Sequence, residues 1–79
     1  MNISAIKQLI HHDLETLRKL EQELLEGEEL SHEVLGSDEG EQLTHLSGAI
    51  WSIEQAKKNG TEPSKEIRNF IARVRNSIN

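Results

Sequence analysis

Four histidines and 14 acidic side chains in a chain of 79 residues are the groups from which any chemistry here would have to be built. Glu41 and His45 stand four apart, and His12 and Glu15 three apart. On a helix each pair shares a face, as two ligands of one ion must. Two ligands do not complete a site, because a tetrahedral or octahedral ion needs further donors, each oriented by its own hydrogen bond. No HExxH and no paired ExxH pattern supplies them. His11-His12-Asp13 has the order of a base and an orienting carboxylate, yet no Ser, Cys or Thr is marked as its nucleophile and nothing marks an oxyanion hole. The glycines are scattered at boundaries, without GxGxxG or GxxxxGK[ST] to cradle a phosphate. The expectation is a protein that is not an enzyme, with no catalytic residue, no cofactor and no metal. On that reading Glu41 supports the first turn of a helix, His45 bonds a neighbouring helix or faces water, and His11 to Asp13 mark a helix break.

The elements that would position these groups are organised around Ser37 to Gly60. Leu43, Leu46, Ile50 and Ile53 recur at steps of three and four, which places them on one side of a helix. A second side carries Thr44, Ser47, Gly48, Trp51 and Gln55, so the single Trp stands beside a Gly and small hydroxyls, a shape that lets another backbone approach. This helix is expected to be covered on more than one side. Ser37 or Asp38 can cap it, Asp38, Glu39 and Glu41 lie at the positive end of its dipole, and Lys57 and Lys58 at the negative end before Asn59-Gly60.

Upstream, Ile3, Ile6, Ile10, Leu17, Leu20 and Leu24 keep helical spacing, widened by Leu9, Leu14 and Leu25. The rhythm fails at Asp13, a poor core residue and a good N-cap. The sequence predicts a helix over 3–11, a tight turn and a second helix over 14–26 ended by Gly27, with one kinked helix as the alternative. Residues 27–37 are expected to form an irregular docked connection in which Leu30, Val34 and Leu35 touch the core. Pro63 opens the last helix, 63–78, whose Ile67, Phe70, Ile71, Val74 and Ile78 form one narrow apolar face. The short link before it makes 38–58 and 63–78 an antiparallel hairpin. The predicted fold is all-α, one domain over residues 1–79, a three- or four-helix bundle with the N-terminal helical region packed on that hairpin.

The segments SDEGEQLTHLSGAIWSIEQ, MNISAIKQL and RVRNSI resemble a family of very small bacterial helical proteins that share an EGEQLTH segment and a basic C-terminal helix. The resemblance implies a compact helical domain and draws attention to Glu41, Gln42, His45 and Trp51. It implies no activity, cofactor or catalytic residue.

A chain this short buries only about 60% of the surface it exposes when unfolded, and it has no Cys to cross-link. Self-association is the remaining common remedy. Its net charge of −5 is unevenly spread: residues 1–56 hold 12 acids against 3 bases, and residues 57–79 hold 6 bases against 2 acids. Either the basic helix docks on acids of its own chain or on those of a second copy. The preferred reading is therefore an interaction module that forms a homodimer, with Trp51, Gly48, Ser47 and Thr44 as candidate contacts. For Trp51, packing inside its own chain, with residues 28–36 as one candidate cover, is the competing account. The alternative function is a small nucleic-acid-binding regulator using Lys65, Arg68, Arg73 and Arg75, although the chain as a whole is acidic and no aromatics interleave these bases. No leader and no run of about 18 apolar residues is seen, so the expectation is a cytoplasmic protein without a membrane partner.

Overall fold

Glu39–Asn59 forms the longest helix (α3), and the other three, Ile3–Leu9 (α1), Leu14–Leu25 (α2) and Pro63–Ser77 (α4), all pack on it. The structure, a computed structural model, describes residues 2–77. It is the all-α bundle expected, with α3 and α4 as an antiparallel hairpin and the N-terminal region broken near His12. The predicted Ile78 contact lies outside the described residues.

Local chemistry explains the boundaries. The Asn2 side chain accepts from the Ser4 amide, Asp13 from Thr16 and Asp38 from Glu41, so each of the first three helices begins at an Asn or Asp cap. α1 ends at Leu9, earlier than the predicted 11, because Ile10 is its cap and the His12 amide turns back to the Leu9 carbonyl at 3.0 Å. α2 closes with Gly27 at φ +72°. The Gly27 amide bonds Leu24 and the Glu28 amide bonds Glu23, the paired bonds of a Schellman turn. Gly60 ends α3 at φ +68°, and the Thr61 amide bonds Ala56.

The shared core comprises Ile6 and Leu9 from α1, Leu17, Leu20 and Leu24 from α2, Leu46, Ala49 and Ile50 from α3, Ile67 from α4, and Val34 from the connection. Not all of the predicted stripe is inside. Ile3, the first residue of α1, is 47% and Leu25, the last of α2, 67% exposed. On α3 the Leu/Ile face is only part of what is covered. His45, Ala49, Ser52 and Ala56, at steps of four, three and four, are all buried. A third covered side of small and polar residues is how a helix enclosed by three others comes to look weakly amphipathic.

The connection is docked, as expected, by few and specific bonds. Val34 is buried, Leu30 packs on the core and Leu35 stays 37% exposed. The Gln42 side chain donates through Nε2 to the Val34 carbonyl at 2.9 Å. Gly36, at φ +152°, passes so close to Gln42 that an added Cβ would lie 2.8 Å from that residue's backbone nitrogen, so glycine is required there on both counts.

Candidate interaction surfaces

Gly48 is where α4 meets α3. A Cβ at this position would lie 2.7 Å from the Phe70 ring and 3.1 Å from Ile6, so the space is filled by a side chain of α4, not by another backbone. Thr44 spends its hydroxyl on the Gly40 carbonyl at 3.0 Å. Of the four predicted contact residues, Trp51 and Ser47 remain half-buried and Gly48 is covered within the chain. Trp51 lies beside Phe70, ring centres 6.0 Å apart, and the Arg73 guanidinium stands over the indole at 5.5 Å, within the range of a cation–π contact. Trp51, Phe70, Arg73, Val74 and Asn76 line a groove along the α3–α4 seam. Trp51 is thus covered in part by α4.

A second groove, of about 650 Å³, runs between α1 and the first turns of α4, lined by Ile3, Lys7, Ser64, Lys65, Ile67 and Arg68. Its floor is Ile67, 1% exposed, and Ile3 forms an apolar rim. Lys7, Lys65 and Arg68 are exposed. Among the described residues the one ion pair is Arg18–Glu54 at 2.7 Å, joining α2 to α3 across a surface where both side chains are about half exposed. The cations of α4 therefore do not dock on acids of their own chain. Of the predicted nucleic-acid set, Lys65 and Arg68 share this groove with Lys7, Arg73 is engaged by Trp51, and Arg75 is exposed.

His45 and Glu41, two of the groups singled out for chemistry, are engaged in hydrogen bonds within the chain. His45 is fully buried. Its Nε2 accepts from the Asn2 amide at 3.0 Å and its Nδ1 donates to the Leu35 carbonyl at 2.7 Å, which fixes the neutral Nδ1–H tautomer and leaves no lone pair for a metal. Glu41 accepts from Ser37 through both amide and hydroxyl at 3.3 Å. His12 and His32 rings lie 4.7 Å apart, but no three metal-ligating side chains come together among the described residues.

Three carboxylates are held below their ordinary range by donors. Asp13 is lowered by hydrogen bonds from Thr16, with a smaller contribution from His12. Glu23 is lowered chiefly by the Ser31 amide, which donates at 2.9 Å. Glu66 is lowered first by the Thr61 hydroxyl at 2.6 Å and then by the Asn69 side chain at 3.0 Å. It is only 4% exposed, folded beneath the α3–α4 turn. Sequence reasoning missed Glu66 as a buried residue. The available signal was an acid on the first turn of α4 beside an otherwise apolar face, with Thr61 five residues earlier to receive it.

No described helix is long and apolar enough to cross a membrane. The profile of a family of unknown function, DUF6952, matches residues 1–79, which agrees with the resemblance seen in the sequence. No curated protein and no solved structure matches the chain significantly.

Proposed function

Because the chain belongs to DUF6952, a family of unknown function, its own geometry has to carry the reading, and we propose a non-enzymatic interaction module whose partner is a second copy of itself. The observation that supports this most is the charge left unanswered inside the chain. α4 carries Lys65, Arg68, Arg73 and Arg75 against one acid, the buried Glu66. Residues 21–41 carry 9 acids and no Lys or Arg. Complementary charge on one molecule attracts its copies and sets their orientation more than their affinity. The half-buried Trp51 with Arg73 above it adds the residue types that dominate interfaces, with Ser47 beside it.

Light scattering over a wide concentration range tests the proposal, and an oligomer that grows with concentration is the expected result. A monomer mass throughout, at low salt, would overturn it.

A second reading is nucleic-acid binding through Lys65, Arg68 and Arg75 with Lys7, favoured by their freedom from ion pairs among the described residues. The acidity of the other two-thirds of the chain works against it. Retardation of duplex DNA that weakens steeply with added salt would support it. No retardation at low salt and micromolar protein would remove it.

A further inference from the structure

We propose that the α1–α4 groove receives the acidic segment around Leu25 to Glu33 of a second copy, so that copies join head to tail. This rests on the self-association reading above and names its two faces.

The groove has three cations, Lys7, Lys65 and Arg68, above an apolar floor and rim, Ile67 and Ile3. Little in its surroundings offsets their charge. Residues 1–12 contain no acid at all. Glu66, the one acid of α4, is turned under the hairpin and engaged by Thr61 and Asn69. Glu62, one residue before the helix, is the remaining neighbour. An occupant should therefore be acidic and should carry an exposed aliphatic side chain.

The chain displays such a segment elsewhere. Among the described residues Leu25 is the most exposed large apolar side chain, at 67%, and Glu26, Glu28, Glu29 and Glu33 follow it, all exposed. No cation of its own chain pairs with any of them among the described residues. The segment does not pair with its own groove: it is held to α2 by the Ser31–Glu23 bonds, α2 packs on α3 while α4 packs on α3 and α1, and no ion pair joins the segment to Lys7, Lys65 or Arg68 among the described residues. In the head-to-tail arrangement the groove and the segment of one copy meet different neighbours, so the contact is heterologous and leaves a free groove at one end of every pair and a free acidic segment at the other. Growth beyond a dimer follows.

The test uses full-length chains and light scattering at low salt. Lys65→Glu with Arg68→Glu disables the groove, and Glu28→Lys with Glu29→Lys disables the segment. All four positions are exposed, and circular dichroism checks that each variant stays helical. Each double variant alone is expected to associate about tenfold or more weakly than the unchanged chain. An equimolar mixture should regain association, because the intact segment of one variant meets the intact groove of the other and the two reversed faces are again opposite in charge. The proposal is overturned if the unchanged chain associates but either variant associates as strongly, which would place the contact elsewhere and leave self-association standing. It is equally overturned if both variants are monomeric and the mixture stays monomeric. A monomeric unchanged chain would sink both this and the reading it rests on. Lys65→Gln with Arg68→Gln, which removes charge without reversing it, should fall between the unchanged chain and the reversed variant; equal loss would point to altered folding and count against the groove.

Discussion

Ser52 is fully buried in α3 and its hydroxyl has no hydrogen-bond partner. An unsatisfied buried polar group costs about 1–3 kcal/mol, so Ser52→Ala should stabilise the fold by about 1 kcal/mol. In a domain of this size that raises Tm by roughly 4–8 °C. A fall in Tm would mean that the hydroxyl finds a partner in solution. Gly48 poses the opposite problem. Alanine there should gain about 1 kcal/mol of helix propensity but must push into the Phe70 ring at 2.7 Å, an overpacking that costs about 1–3 kcal/mol. Gly48→Ala should therefore destabilise the fold by about 1 kcal/mol, and in a Phe70→Ala background the same change should become stabilising. Urea denaturation of the four chains reads this sign change directly; its absence would show that Phe70 yields without cost. The sequence marked Gly48 as a place of close approach because a Gly beside a Trp is informative. It could not say what approaches, since that depends on where α4 crosses α3. The burial of Ser52 and of His45 was hidden for a different reason, as polar residues carry no hydropathy signal even when their spacing places them inside; the bond from His45 to the N-cap of α1 was one of the two readings the sequence offered.

Helix ends were the most legible elements. Asp13, Gly27, Asp38, Gly60 and Pro63 each act within one turn of themselves, so their roles follow from local chemistry without knowledge of the fold. The connection was not legible in the same way. Its path is set by single bonds from side chains far along the chain, Gln42 to Val34 and His45 to Leu35, and no periodicity records such bonds. The α3–α4 turn lies between these cases, and its Glu66 gives a pH dependence with a definite sign. Donors from Thr61 and Asn69 hold the folded-state carboxyl below its ordinary 4.5. Its stabilising contribution is thus fully present above that ordinary value and is lost as pH falls through the lower, folded-state one. Asp13 and Glu23 act in the same direction, so the informative quantity is a difference. Glu66→Gln should be less stable than the unchanged chain at neutral pH, and the gap should narrow as pH drops below about 4.5. Denaturation curves at several pH values measure it. A gap that stayed constant would assign the loss to packing and not to charge.

For the whole molecule, the arrangement legible from the sequence was α3 enclosed by its neighbours, and this is what the fold shows. The distribution of charge was legible as well, but its meaning was not. From the sequence alone the basic helix could have closed on the acidic half of its own chain; in the fold it packs on α3 without pairing with an acid, and one ion pair, Arg18–Glu54, is formed among the described residues. If copies associate through these faces, added salt should weaken the assembly, because the screening length shrinks to about 3 Å at 1 M. Sedimentation of the unchanged chain at rising salt checks this, and an assembly that tightens with salt would identify an apolar contact such as the Trp51 seam.

The imidazole of His45 touches the chain twice, at Asn2 and at Leu35. The first two helices and most of the connection therefore form a long loop clasped at its neck by one ring, while the last two helices are joined by a tight local turn. A clasp of this kind couples both ends of the loop, so loss of the ring's two bonds loosens the start of α1 and the end of the connection together.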